Sequence, residues 1–359
     1  MASLPADLPS IYHPASRPRP AVQPGDFLFA AWGFDHGHIH QMIAELQAAG
    51  GQLVWIGDEK PENRKVAAQK YPAAPIAETY EVLLQDARLH MIATAAVPAD
   101  RAGLGLRALE SGKHFFSAKA PFTTLQQWSA AVEAVRRTGK KWAVNYSERL
   151  LSEAGMHAGD LIQSGAIGQV IQVVGMGPHR LGAAGRPAWF FQKHRAGGIL
   201  GDIGSHQSEQ FLQYTGAETG SVLHAAVANR AHPEFADFDD FGEASLSAAG
   251  ASMYYRLDWL TPDGLSTWGD GRTFVIGTKG TLELRKYVDV ARQKTKDNIY
   301  LVDQKGEWNF CVEGLVGYPY FGQLILDCLE NTEKAMTQAR VFEAARLALE
   351  AERVAVRLS

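Results

Sequence analysis

Between Phe27 and Arg149, short apolar runs alternate with stretches of helical periodicity, and this alternation constrains the fold more than any other feature. The runs are Phe27 to Trp32, Leu53 to Ile56, Met91 to Ala95, His114 to Phe116 and Trp142 to Val144. Each is brief and largely apolar, as a strand buried on both faces must be. In the first gap Ile39, Met42, Ile43 and Leu46 fall at i, i+3, i+4 and i+7, one face of a helix that stops at Gly50-Gly51. Two later helical stretches, about Arg101 to Ser111 and Leu125 to Thr138, also end on a glycine. Repeated strand-helix units of this kind predict a parallel sheet over residues 27–149.

After Arg149 the pattern changes. One helical stretch, Ser152 to Ser164, is followed by strand-like runs at Gln169 to Val174, Ala244 to Ala248, Ser252 to Trp259, Thr273 to Ile276, Thr281 to Leu284 and Ile299 to Val302. Gly264 and Gly280 mark turns between them, which predicts a large, mainly antiparallel sheet. Helix returns at the end: Phe321, Leu324, Ile325 and Cys328 share one face, and Val341 to Leu358 offers another helix. Residues 150–359 therefore read as a second, α+β domain. Residues 1–26 hold six of the 16 prolines and no hydrophobic period, which predicts an extended arm that docks on a neighbouring subunit.

A chain of 359 residues is long enough for two domains. Its formal charge of −4 leaves no broad basic surface for phosphates, so a nucleic-acid partner is not expected. Only Cys311 and Cys328 are present, which excludes a disulfide framework and a Cys-rich zinc site. No window approaches 18 uninterrupted apolar residues and no basic-then-apolar leader opens the chain, so a cytoplasmic location away from membranes is expected.

Three stretches could carry chemistry. The first strand runs into Gly33-Phe34-Asp35-His36-Gly37-His38 and then a helix, where a dinucleotide fold of the Rossmann type turns around a pyrophosphate. The fingerprint is incomplete, since Asp35 and His38 stand where two of its glycines belong, and a plain strand-to-helix turn accounts for Gly33 equally. Asp58 follows the second strand, where a carboxylate would accept hydrogen bonds from a ribose and repel a 2′-phosphate; this favours NAD over NADP. Lys60, Arg64 and Lys65 nearby could soften that preference, and a solvated turn is the other reading of Asp58. His36, His38 and His40 invite a metal site, but their spacing matches no zinc motif, and none is expected. Lys119 lies just past the strand at His114, at the edge where open α/β sheets bind ligands; it is a candidate proton-transfer group or an ordinary surface lysine. Gly197 to His206 sets Asp202 and His206 four residues apart, neighbours if helical. A histidine oriented by a carboxylate can remove a hydroxyl proton near neutral pH; a capping aspartate followed by a packed histidine is the alternative.

Together these residues resemble the Gfo/Idh/MocA oxidoreductases, the family of glucose-fructose oxidoreductase and inositol dehydrogenase. The resemblance spans about residues 27 to 359. It rests on the glycine turn, on Ala108 to His114 leading to Lys119, and on the motif Gly-Gly-x-x-x-Asp-x-x-x-His at Gly197-Gly198, Asp202 and His206. The family's Glu-Lys-Pro is altered to Ala118-Lys119-Ala120, with the proline one place later at Pro121. The resemblance implies that Lys119, Asp202 and His206 are catalytic, and that Gly33, Asp35, His36, Gly37, His38, Asp58 and Lys119 hold NAD. It implies substrate contacts from Arg149, His179, Arg180 and Trp189. The implied reaction passes hydride between a nicotinamide and a secondary alcohol of a sugar, sugar acid or cyclitol, in a homo-oligomer. Two alternatives stand beside it: a family enzyme that recycles tightly bound NAD to cleave glycosides, and a non-catalytic regulator that senses NAD(P).

Overall fold

The structure is a computed structural model that describes residues 4–290 and 295–358. Six strands form a wholly parallel sheet: β1 (Leu28–Trp32), β2 (Gln52–Gly57), β3 (Ile76–Ala77), β4 (Met91–Thr94), β5 (His114–Ala118) and β6 (Trp142–Asn145). Their order is β3-β2-β1-β4-β5-β6. The chain leaves β1 first to one side and then returns to its other side at β4. The turns after β1 and β4 therefore diverge and open a crevice at the carboxyl ends of the strands. The five apolar runs became strands; β3, only two residues long, has no run to reveal it. The helix at Leu125–Thr138 shows how local chemistry sets its limits: the Thr124 hydroxyl accepts the Gln127 amide at 3.1 Å, and Gly139 ends it at φ +66°.

The second sheet has nine strands: β7 (Val170–Pro178), β8 (Ser221–Ala228), β9 (Phe241–Ala248), β10 (Ala251–Asp258), β11 (Arg272–Gly277), β12 (Thr281–Arg285), β13 (Asn298–Val302), β14 (Glu307–Cys311) and β15 (Val356–Arg357). All pairs are antiparallel except β7 with β10 and β8 with β15. The Gly204–Thr215 helix lies close on one face of β7. A Cβ at Gly175 would stand 2.2 Å from the Gln207 side chain, so only glycine allows that approach. The opposite face carries Val174 in register with Tyr254 and Phe274, half-buried or exposed. The last helix, expected to reach Leu358, stops at Val354. The chain turns extended at Ala355, and Val356 and Arg357 pair with β8 instead.

The proline-rich arm docks on its own chain. Leu8 and Tyr12 are buried, the Tyr12 carbonyl accepts His157 Nε2 at 2.9 Å, and its hydroxyl donates to Asp303 beside β13. Further on, the Ala21 amide donates to the Ala49 carbonyl at 2.8 Å, at the end of the His38–Ala48 helix. The arm thus runs from the second sheet to the first. The two apolar anchors carry no period, so this intrachain docking has no signature in the sequence.

Candidate active site

Gly33 leaves β1 at φ +80°, and a Cβ there would meet the Ala96 Cβ at 2.7 Å. The turns after β1 and β4 are therefore in contact: His36 N–H donates to Ala95 O at 3.0 Å and Ala95 N–H to Gly33 O at 3.2 Å. Asp58, buried at the end of β2, fixes the same turn. Its carboxylate accepts the Phe34 amide at 2.5 Å, Asn63 Nδ2 at 3.0 Å and the Lys60 amide at 2.8 Å. A groove of about 840 Å³ opens here, lined by Gly33, Asp35, Asp58, Lys60, Val97 and Arg195 among others. Its cations are paired: Lys60 with Asp35 at 2.6 Å, Arg195 with Asp100 at 3.1 Å, and Arg107 with Glu81. Arg64 is held by the Asp58 and Glu59 carbonyls.

The predicted turn residues divide. Gly33, Asp35 and Asp58 face the groove, whereas His36 and His38 line a second cavity of about 440 Å³. Gly37 is exposed, and a Cβ there would meet nothing within 4 Å, so it marks no close approach. The His36 and His38 rings lie 3.9 Å apart, and burial pushes the His36 imidazole down to about 3. Among the described residues no three His, Cys, Asp or Glu side chains converge as metal ligands.

Lys119, just beyond β5, enters the second cavity with only 4% of its side chain exposed. The Lys119–Ala120 peptide is cis. The loop is gripped by Arg101, a fully buried guanidinium that donates to the carbonyls of Ala96 at 2.7 Å, Ala118 at 3.1 Å, Lys119, and Ala120 at 2.9 Å. Lys119 Nζ donates to Asp202 Oδ1 at 2.7 Å. Burial pushes the Asp202 carboxyl up, but the adjacent ammonium overrides it and holds the group below its usual value.

Asp202 reaches this position through the glycine pair. Gly197 and Gly198 sit at φ +96° and +76°, and a Cβ on Gly198 would collide with the Glu352 carboxylate at 2.4 Å. Asp202 ends the short Gly198–Asp202 helix, while His206 lies on the next one, Gly204–Thr215. The break at Ile203 separates them, and no hydrogen bond joins Asp202 to His206 among the described residues. The hydrogen bond of the Asp202 carboxylate goes to Lys119 and not to the histidine expected beside it. The buried His206 ring stands edge-on to Tyr146 at 6.4 Å, its Nδ1 has no partner among the described residues, and burial drives its pKa down to about 3.

Two expected substrate residues, Arg149 and Trp189, lie outside both cavities. Arg149 is buried in a forked ion pair with Glu209, Nε to Oε1 at 2.8 Å, because a guanidinium this far from water requires a carboxylate. Trp189 packs on Phe190 at 6.0 Å and lines neither cavity. His179 and Arg180 do line the second cavity, the His179 ring between Trp259 at 5.2 Å and Trp268 at 4.5 Å. Arg180 is tethered to the carbonyls of Pro262, Asp263 and Leu265.

Sequence reasoning missed Arg101, Glu148, Lys286, Trp259 and Trp268. Glu148 Oε2 accepts from the buried Lys286 at 3.0 Å and from Gln207 at 2.8 Å; Oε1, without a hydrogen bond among the described residues, faces His179 Nε2 at 3.9 Å. Burial raises this carboxyl, yet the Lys286 ammonium outweighs it and the group falls to about 2. No local motif announces these residues, since each partner is distant in sequence.

Residues 156–283 match the family description GFO/IDH/MocA C-terminal domain. The chain is 44% identical to a crystal structure of a putative oxidoreductase from Erwinia carotovora atroseptica, covering 93% of this chain and 100% of that one with a TM-score of 0.90. It is 26% identical to scyllo-inositol 2-dehydrogenase (NAD(+)) of Bacillus subtilis over 68% of this chain and 70% of that one. Levoglucosan dehydrogenase in complex with NADH and levoglucosan shares the fold at 18% identity, TM-score 0.77, over 92% of this chain and 97% of that one.

Proposed function

Because the chain belongs to the GFO/IDH/MocA family of oxidoreductases, we propose that it is an NAD-dependent dehydrogenase acting on a secondary alcohol of a small polyhydroxy compound, a sugar, sugar acid or cyclitol. The observation that carries this reading is the ion pair between the buried Lys119 and the half-buried Asp202, at a cavity bordered by the same turn that borders the groove. Gly33 and Asp35 face the groove; His36 and His38 face the cavity.

The groove fits a dinucleotide. It lies at the switch in strand order, Gly33 has no Cβ to bar a close approach, and Asp58 stands at the end of β2 for a ribose. Lys60, Arg107 and Arg195, the cations that line the groove, are already paired among the described residues, which favours NAD over NADP. NAD, when bound, supplies the ring that accepts hydride.

The remaining work falls to the protein. Lys119, held by Asp202, donates a hydrogen bond to the reacting hydroxyl oxygen and stabilises the negative charge that develops there. His206, neutral through the ordinary pH range, accepts the hydroxyl proton directly or through Lys119. Arg101 keeps the Lys119 loop in place. The test is a panel of sugars, aldonates and cyclitols with NAD, read by NADH absorbance. Accumulation of NADH supports the proposal; glycoside cleavage without it favours the recycled-NAD reading, and no reaction with any compound sinks the assignment.

A further inference from the structure

The charges that line the second cavity do not cancel. Lys119 is matched by Asp202, Glu148 by Lys286, and Arg180 has Asp263 at 3.4 Å. His36, His179 and His206 are kept neutral by burial. Arg186 and Lys296 remain, and neither forms an ion pair among the described residues. The sequence of the undescribed stretch 291–294 contains no acidic residue.

Arg186 is also set in place. Its guanidinium lies 4.4 Å from the Phe190 ring centre and 5.2 Å from that of Trp259, and its Nε donates to the Leu181 carbonyl at 2.9 Å. Two aromatic rings and one hydrogen bond fix the plane and leave the two terminal nitrogens without partners among the described residues. A planar fork held this way matches the two oxygens of a carboxylate, and little side-chain freedom remains to be lost on binding. A neutral polyol would leave both cations of the cavity without an ion-pair partner. A cavity of about 440 Å³ accommodates a six-carbon acid.

We propose that the alcohol oxidised here belongs to a polyhydroxy acid whose carboxylate is bound by Arg186, with Lys296 adding to the positive field. This inference rests on the dehydrogenase reading for its reaction but not for its binding.

The experiment titrates D-gluconate, D-galactonate and L-threonate, with D-glucose, D-galactose and myo-inositol as neutral counterparts, by calorimetry on the full chain with and without NAD. Initial rates are measured in parallel. The expected result is binding of at least one acid on the order of 10-fold tighter or more than the neutral compounds, with a kcat/KM advantage on the order of 100-fold. In Arg186→Gln the acid-to-neutral ratio should fall toward one, mainly through KM, and Arg186→Lys should restore part of it. Equal or tighter binding of the neutral compounds, no acid binding up to about 10 mM, a ratio that survives Arg186→Gln, or tighter binding of D-glucose 6-phosphate than of every acid would each overturn it. The two readings fail separately. Neutral polyols oxidised without acid preference would leave the dehydrogenase standing and remove the acid. Acids bound without NADH formation would do the reverse.

Discussion

Nζ of Lys119 and Oδ1 of Asp202 lie 2.7 Å apart although 83 positions separate them in the chain. Lys119 comes from the end of a strand of the parallel sheet, and Asp202 from a short helix that leads into the one packed on the second sheet. The pair therefore forms only when the two sheets are in place. Lys119 is buried and Asp202 half-buried, so removing Asp202 leaves the ammonium uncompensated.

Lys119→Met should lower kcat by a factor on the order of 100 or more with little change in NAD affinity, because the lost hydrogen bond acts mainly in the transition state. Asp202→Asn should lower kcat as well, since Lys119 loses its anchor. Steady-state rates and NAD titration check both, and near-normal turnover in Lys119→Met would remove the central role assigned to it.

The pH profile should lack a histidine limb near 6.5. With the His206 pKa down at about 3, kcat/KM from pH 5 to 8 should not follow its titration, and a limb in that range abolished by His206→Gln would contradict the observed burial.

Stability should fall as the solution is acidified below about pH 6.5. His36, His114 and His206 sit at about 3 and His179 at about 4 in the folded chain. The unfolded chain takes up their protons first, so their contribution is complete above the unfolded value and is lost as pH drops toward the folded ones. Asp297, raised by burial to about 6, works in the opposite direction between its unfolded value and 6. Thermal midpoints measured from pH 8 to 4 should decline, and a flat or rising curve would mean the imidazoles are hydrated.

Asp58→Asn should reduce the ratio of kcat/KM for NAD to that for NADP, because the carboxylate no longer repels a 2′-phosphate. NAD affinity should fall too, since the same oxygens hold the Phe34 amide. If the ratio is unchanged, Asp58 serves the turn alone.

Deleting residues 1–26 should destabilise the chain. Tyr12→Ala alone should cost about 3 kcal/mol in urea unfolding, given its burial. If the open face of the nine-stranded sheet joins copies of the chain, Phe274→Asp should lower the mass seen in light scattering. If truncation alters only assembly, the arm works between subunits.

The sequence by itself determined five strands of the first sheet, six of the second, the glycine turn and the spacing of the Gly197–His206 motif, while β3, β8, β14 and β15 had no run to reveal them. These are local facts: a buried strand needs apolar residues on both faces, and a backbone at positive φ favours glycine. Tertiary structure alone decided which charge meets which. Asp202 turns to Lys119 rather than to His206 four residues away, Arg149 is taken by Glu209, and Arg101, Glu148 and Arg186 acquire their positions from segments far along the chain. Ion pairs and cavity walls are set by distances in space, and a buried charge is stabilised by whichever partner packing brings within reach, which spacing along a single strand or helix does not encode.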